Sequence, residues 1–563
     1  MKTIYEEVRE ERLELFQKGL VPDWMNTNGY LMLKDKYLDD GETPIDRYKT
    51  ISSTLAKHTP KPAHWEKEFF NEFWRGWTAA STPVLANTGT NKGLPVSCSG
   101  GYVGDSVYDF YNGQTECAML SKNGFGTSSY FGDIRPRGTE ISAGGKASGI
   151  LPVFKDYVQL SRDVSQGSTR RGAWAGYVPI DSADFWEVVN FILNNPDDAN
   201  VGWIITDAYI DRLNKNDPDS IARYQRAMKV KCVTGKGYFW FPDKVNRLKP
   251  EWYKHFELVN KASNLCTEID LHSDEDHTFT CVLSSKNLAK YDEWANTNST
   301  FVSTVMLDCV CSEFIERAKD TLGLERAIRF TQKARALGLG ALGFHTYLQS
   351  KMIPFESFQA HNLNQQIFSK IKEEAEKASK WMAKEWGEPE WCKGFGRRNT
   401  DLLAIAPNTS SALICGGVSQ GIEPVYKNVY TQGSAAGELN RINPILLDLM
   451  KNRGIYSEDQ LDDIIQNKGS VQHVDWLKDD EKLVFKTAFE IDQRAILRLA
   501  SVRQQYICQA QSLNLFFAAD ESEEYISEIH KEAFLDPNIK SLYYLRSLAG
   551  VQVSKNECLA CEG

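Results

Sequence analysis

Ser263-Asn-Leu-Cys-Thr-Glu-Ile-Asp270 sets Asn264, Cys266 and Glu268 at alternate positions of one segment. If the segment is extended, all three side chains leave the same face. A thiol able to become a radical, a carboxylate base and an orienting amide then crowd one substrate. Read alone, the same pattern also fits an ordinary strand with a buried cysteine. Four further cysteines bear on the choice: Cys98 in Val-Ser-Cys-Ser, Cys281 in Cys-Val-Leu-Ser-Ser-Lys-Asn-Leu, and Cys558 and Cys561 in the terminal Cys-Leu-Ala-Cys-Glu-Gly.

Around this segment the texture alternates. Glu6 to Phe16 and Ala63 to Trp77 carry apolar residues at helical spacing, which predicts a helical N-terminal layer over residues 1–95. From Ser81 onward, glycine-punctuated stretches such as Gly124-Phe-Gly126 alternate with helical ones, including Glu374 to Trp386 and Ala495 to Gln509. That alternation predicts an α/β core. Ser457-Glu-Asp-Gln460 has the form of a helix cap, and Asn443-Pro444 opens a helix. His272 to His277 and Tyr291 to Ser299 read as surface loops, and the chain past Asp520 reads as charged and less periodic.

Composition narrows the function classes. Of 563 residues, 42% are hydrophobic and 25% charged, as in ordinary globular proteins. The net charge of −10 supplies no basic field for a nucleic-acid backbone. The charged N-terminus is no signal peptide, and no apolar run approaches the ~18 residues of a membrane span. The cytoplasm is the expected compartment. Twelve cysteines without regular spacing do not form a secreted disulfide framework. Cys558-x-x-Cys561 supplies two of the four ligands of a structural zinc; a thiol–disulfide shuttle on a mobile tail fits it better, and no metal is expected.

In chain order, Ser81-Thr-Pro83, Ser97-Cys98, Gly124-Phe-Gly126, Asn264-Leu-Cys266-Thr-Glu268, Cys281-Val-Leu-Ser, Pro407-Asn-Thr-Ser-Ser411, Gln509-Ala-Gln-Ser-Leu-Asn514, Tyr543-Tyr544 and Cys558-x-x-Cys561 resemble the motifs of the ribonucleotide reductase catalytic subunit. The resemblance runs from about Tyr5 to the C-terminus. It implies a ten-stranded α/β barrel of two five-stranded parallel halves set antiparallel, with a finger loop carrying Cys266 into its centre. The implied divisions are a helical region 1–95, a barrel 96–520, a segment 521–552 with relay tyrosines, and a redox tail 553–563.

The resemblance also implies roles. Cys266 is the thiyl that abstracts the 3′ hydrogen, Glu268 the base on the 3′-hydroxyl, and Asn264 the orienting amide. Cys98 protonates the departing 2′-hydroxyl and, with Cys281, supplies two electrons by closing a disulfide, which requires Cα atoms about 4.4 to 6.8 Å apart. Tyr543 and Tyr544 relay a radical from a separate small subunit, and Cys558 and Cys561 exchange with thioredoxin or glutaredoxin. Substrate phosphates and hydroxyls fall to Thr82, Ser97, Gly124, Pro407, Asn408, Thr409, Ser410 and Ser411. Many relatives have an acidic residue where Asn408 stands. Asp105, Ser106 and Arg135 match a deoxynucleotide or ATP effector site at a homodimer interface, and Gln166 and Arg170 the loop that transmits effector identity. No permanent cofactor is implied in this chain. Tyr543-Tyr544 and the Gln509 to Asn514 motif favour a class I, small-subunit-dependent enzyme over an adenosylcobalamin-dependent one. An N-terminal ATP-cone is not expected.

Overall fold

Helices α1 (Ile4–Gln17), α2 (Thr27–Lys36), α3 (Pro44–Ala56) and α4 (Pro62–Trp74) open the chain. Thr3 and Thr43 start α1 and α3 with capping boxes to Glu6 and Asp46, pairing amides that a helix start leaves orphaned. The structure, a computed structural model, describes residues 3–142, 144–164, 172–434 and 437–547.

Strand β1 (Thr78–Ala80) and helix α5 (Thr82–Asn87) lead into a barrel. Its first half is five strands paired in parallel in chain order: β2 (Cys98–Tyr102), β3 (Gly126–Tyr130), β4 (Trp174–Pro179), β5 (Val201–Ile204) and β6 (Tyr238–Trp240). Parallel neighbours need crossovers, and helices such as Val107–Lys122 and Ile150–Asp163 supply them. The second half begins with β7 (Phe279–Asn287) and β8 (Leu337–Leu342), again parallel. It continues through two irregular extended segments held by the parallel bridges Leu339↔Leu403 and Ile405↔Gln511. After a separate hairpin of β9 (Val429–Ser434) and β10 (Gly437–Ile442), β11 (Leu515–Phe517) pairs with a last strand, β13 (Leu545–Ser547), and between them in sequence lies β12 (Ser541–Leu542). Tyr543 N–H donates to Leu513 O at 2.8 Å, tying the chain just past β12 to the segment before β11.

Two antiparallel seams join the halves: β2 with β7 and β6 with β12. The ten-stranded α/β barrel is therefore present, although two of its ten strands, around Leu403 and Gln511, carry single bridges rather than regular ladders. All nine residues of β7 are buried, as expected of a strand covered on both faces. Close packing requires Gly338 on β8, where a Cβ would stand 2.3 Å from Leu283 Cδ2 and 3.0 Å from Cys281 Sγ.

Several local expectations are corrected. Asn264 to Glu268 is not extended: Ser263 pairs with Asp270, and the chain between them turns with Thr267 at φ +66°. The asparagine side chain is the reason, because Asn264 Oδ1 accepts from Ile269 N–H at 3.1 Å and closes the turn. The helical stretch ending at Gln509 stops earlier, as Gln493–Gln504. Past Asp520 there is a regular helix, Glu523–Leu535, capped by Ser522. His272 and His277 are buried, because Asp274 takes a hydrogen bond from each imidazole at 2.8 Å and both rings pack on Trp391. Ser457 and Asn443 cap their helices as expected.

One buried ion pair fastens the helical layer to the barrel. Lys286 Nζ on β7 donates to Glu72 Oε2 on α4 at 2.9 Å, with both side chains out of water. Breaking such a pair strands a charge at a cost of about 3 to 5 kcal/mol. Lys286→Met should lower the free energy of denaturant unfolding by that order, and the double variant Glu72→Leu/Lys286→Met should recover most of it.

Candidate active site

The turn Ser263 to Asp270 enters the barrel and is gripped from several strands. Ser128 Oγ on β3 donates to Ser263 O at 2.7 Å, and Tyr177 OH on β4 donates to Asn264 O at 2.6 Å. From the other half, Ser541 Oγ donates to Thr267 O at 2.8 Å and Ala510 N–H to Glu268 O at 2.9 Å. A β-branched residue in the left-handed region costs on the order of 1–3 kcal/mol, and these contacts hold Thr267 there.

The turn brings two of the three side chains, Asn264 and Glu268, together at Cys98. Asn264 Nδ2 donates to Cys98 Sγ at 3.2 Å, and the Cys98 thiol donates to Glu268 Oε1 at 3.8 Å. Cys98 and Cys281 stand directly opposite each other across the β2–β7 seam. Opposed residues of an antiparallel pair have Cα atoms about 4.5 to 5.5 Å apart, inside the disulfide range. Neither cysteine is in a disulfide in this structure. Cys266 lies on the far side of the turn, where the Tyr543 phenol donates to its sulfur at 3.6 Å.

Tyr543 and Tyr544 form a close aromatic pair, with ring centroids 3.9 Å apart. Tyr238 on β6, which the sequence reading missed, packs on both at 4.7 and 5.7 Å. In Gly-Tyr-Phe-Trp-Phe it has the look of any apolar strand residue. Tyr177, in Trp-Ala-Gly-Tyr-Val-Pro, gives no stronger signal. Gln509 belongs to the Gln509 to Asn514 motif, and its side chain touches Cys281.

Burial sets the electrostatics. It pushes the Glu268 carboxyl up to about 7, against hydrogen bonds from Asn264 and Cys98 that favour the ionised form. Glu268 Oε2 is buried without a partner in the structure, an acceptor turned to the site. Asp270 is pushed up to about 6, also by burial, with Lys540 opposing. The Cys281 thiol is pushed well up by burial, tempered by the Gln509 amide.

The expected phosphate segment begins the helix Thr409–Ile414. Asn408 has φ +60°, and its carboxamide is spent inward: Oδ1 accepts from Ser285 Oγ at 2.9 Å, and Nδ2 donates to Ala406 O at 3.0 Å. What Asn408 can offer a ligand is therefore backbone, not side chain. Ser411 Oγ donates to Ala80 O at 3.2 Å. Thr409 and Ser410 line a cavity of about 230 Å³ that also takes in Glu423 and Arg546. Ser97 Oγ meets Ser81 Oγ at 3.2 Å, and Thr82 follows as the first residue of α5. Gly124, at φ +97°, turns the chain into β3.

Away from the barrel centre, Arg135 pairs directly with Asp105, both half-buried, and Ser106 caps the helix Val107–Lys122. The two charges proposed for one ligand thus neutralise each other in this structure. Gln166, Arg170, Cys558 and Cys561 lie outside the described residues. Among the described residues one group has metal-ligand geometry, His272, Asp274 and His277; its 2.8 Å spacings are those of the hydrogen bonds already given. No helix among the described residues is long and apolar enough to cross a membrane.

Residues 24–93 match the family described as "Ribonucleotide reductase, all-alpha domain", and residues 96–223, 223–395 and 388–545 match "Ribonucleotide reductase, barrel domain". A Frog virus 3 protein is 36% identical over 552 residues, covering 92% of this chain and 95% of that protein. The "Ribonucleoside-diphosphate reductase large subunit" of Invertebrate iridescent virus 3 is 30% identical, covering 95% and 98%. Among solved structures, the "Actinobacillus ureae class Id ribonucleotide reductase alpha subunit" superposes with a TM-score of 0.86 at 37% identity, covering 95% of this chain and 99% of that one.

The raised carboxyls carry a stability signature. Native Glu268 and Asp270 keep protons that the unfolded carboxyls release near pH 4, so the native state binds more protons and stability falls as pH rises from about 4.5 to about 7. Glu268→Gln should abolish its share of that fall, about 2 to 3 kcal/mol by linkage, in denaturant unfolding compared between pH 5 and 8.

Proposed function

Because the chain belongs to the ribonucleotide reductase large-subunit family, we propose that its barrel reduces ribonucleoside diphosphates at Cys266, with a radical delivered through Tyr543 and Tyr544 from a separate small subunit. The observation that carries the radical route is the Tyr543 phenol 3.6 Å from Cys266 Sγ, with the tilted Tyr544 ring packed against Tyr543 at 3.9 Å between centroids. A radical can pass between phenols and a thiol in such contact without a diffusing intermediate.

The chemistry then runs as follows. Cys266 as thiyl takes the 3′ hydrogen atom. Glu268, with a pKa of about 7, is half ionised at neutral pH and accepts the 3′-hydroxyl proton, as a base matched to working pH should. Asn264 holds Cys98 by its amide, so the Cys98 thiol is oriented to protonate the 2′-hydroxyl, which leaves as water. The Cys281 thiol gives a hydrogen atom to C2′, the Cys98–Cys281 disulfide closes as the second electron passes to the substrate, Glu268 returns its proton to the 3′ oxygen, and Cys266 returns its hydrogen to C3′. The Thr409–Ser410 hydroxyls and the amides opening their helix hold the diphosphate, beside Thr82, Ser97, Gly124 and the Pro407–Asn408 backbone.

The remaining assignments complete the reading. Asp105, Ser106 and Arg135 take a deoxynucleotide or ATP effector at a homodimer interface, which first opens the Asp105–Arg135 pair. Gln166 and Arg170 pass the effector's identity to the substrate base. Cys558 and Cys561 reopen the disulfide and are in turn reduced by thioredoxin or glutaredoxin, in the cytoplasm.

Tyr543→Phe and Tyr544→Phe test the route, since each removes one hydroxyl and almost no volume. Each should bring nucleotide reduction with the small subunit to background while substrate and effector binding persist. Loss of one hydroxyl from a ring serving only as packing would cost at most about 1 to 2 kcal/mol of stability and leave turnover intact. Cys266→Ser should likewise abolish turnover with nucleotide affinity retained. Normal activity in either tyrosine variant, or activity with adenosylcobalamin alone, would contradict the proposal.

A further inference from the structure

The strand that carries the tyrosine pair changes partner as it passes them. β12 pairs with β6 at Ser541↔Trp240 and Leu542↔Phe239, and by Leu545 the chain has moved onto β11. Tyr543 falls at the change. Its N–H donates to Leu513 O at 2.8 Å, but its carbonyl accepts from a side chain, the amine of Lys231. The same Nζ donates to Gly237 O at 3.2 Å, in the residue before Tyr238. Lys231 thus joins the main chain beside two rings that pack 4.7 Å apart. It stands in the last turn of the helix Pro218–Thr234. Gly235, just past that helix at φ +73°, accepts from Leu545 N–H at 3.0 Å, so the relay segment is tied to the helix end on both sides of Tyr544.

Burial makes this a costly way to hold a strand. Lys231 has no exposed surface, and among the described residues no carboxylate pairs with it. The face of the Phe239 ring lies 5.2 Å from Nζ, and Cys232 and His530 are its titratable neighbours. Burial pushes the amine down to about 7. Loss of that proton does not release the clamp, because a neutral amine keeps two N–H donors for the two carbonyls. Two other buried lysines also donate to backbone carbonyls: Lys244 to Ala533 and Ile539, and Lys540 to Cys508 and Gln509. Of the three, Lys231 is the one that holds a tyrosine of the pair.

We infer that Lys231 is a positioning residue for the radical relay: by holding Tyr543 O and Gly237 O on one nitrogen, it sets the Tyr543 phenol between Tyr544 and Cys266. Lys231 itself touches neither the phenol oxygen nor the sulfur. The step it serves is a hydrogen-atom transfer. The Cys266 S–H bond breaks, its proton and one electron pass together to the Tyr543 phenoxyl oxygen, and a thiyl remains on Cys266. That transfer needs the 3.6 Å contact between phenol and sulfur, and misplacing reacting groups by about 1 Å costs on the order of a hundredfold in rate. The inference rests on the proposed radical route through Tyr543.

The test uses the full chain with its small subunit. Lys231→Met keeps the length of the side chain and removes every donor. It should lower kcat for nucleotide reduction by about a hundredfold, while KM and the affinities for ribonucleoside diphosphate and small subunit stay unchanged. Lys231→Gln keeps two N–H donors on a shorter stem and should lower kcat by about tenfold, the worth of one weakened hydrogen bond, again at unchanged KM. Should Lys231→Met fail to fold, Lys231→Gln carries the test against the parent. An unchanged kcat per folded chain, with stability alone lowered, would overturn the positioning role. So would a loss of substrate binding that accounts for the loss of turnover. Tyr543→Phe, assayed beside them, separates the inference from the route beneath it: background turnover in that variant keeps the route, and normal turnover overturns the route itself.

Discussion

Cys98 and Cys281 meet because the two parallel half-barrels of this chain run antiparallel to each other, and the change of direction occurs at the β2–β7 seam. A parallel ladder places its neighbours in a slanted register, whereas an antiparallel one sets residues face to face. The two cysteines occupy one such face-to-face position. Everything else in the site is arranged around that pair. The turn Ser263 to Asp270 reaches Cys98 through Asn264 and Glu268, and Gln509, on the same half-barrel as Cys281, reaches that sulfur. The second seam, β6 with β12, performs the matching task for the radical side, because it carries Tyr543 and Tyr544 against Tyr238 and Cys266.

Burial is what gives these groups their chemistry. Glu268 in water would be fully ionised at neutral pH; enclosed in the barrel it titrates at about 7, where it can both accept and return a proton. The same enclosure raises the Cys281 thiol, which suits storage of electrons as dithiol. A wetter site would screen both effects. The left-handed Thr267 belongs to the same design: a strained turn, held by hydrogen bonds from four strands, sets Asn264 and Glu268 against Cys98 and Cys266 against Tyr543.

Much of this was legible in the residues. Alternating helical and glycine-punctuated segments point to an α/β core, and the motifs pick out the side chains proposed to react. What stayed hidden has physical reasons. Alternation of Asn264, Cys266 and Glu268 reads as a strand, because nothing local announces that an asparagine will fold back on the amide five residues later. The strands around Leu403 and Gln511 carry single bridges rather than long ladders. Tyr238 and Tyr177 sit in apolar runs where aromatic residues are expected for packing alone. Asn408 looks like a ligand-binding residue in its loop, but its side chain is consumed by Ser285 and the sheet, a contact 123 residues away that no sequence window spans.

The central claim is that Cys266, Glu268 and the Cys98–Cys281 pair form one reducing site fed by the tyrosine pair. It is tested most directly by a single-turnover experiment: prereduced full-length chain, freed of reductant and mixed with its small subunit and a ribonucleoside diphosphate, with product and disulfides quantified together. With Cys558 and Cys561 replaced by serine, the account predicts about one deoxynucleotide per chain and a matching amount of Cys98–Cys281 disulfide. Sustained turnover without reductant, or product formed with both thiols still free, would contradict it.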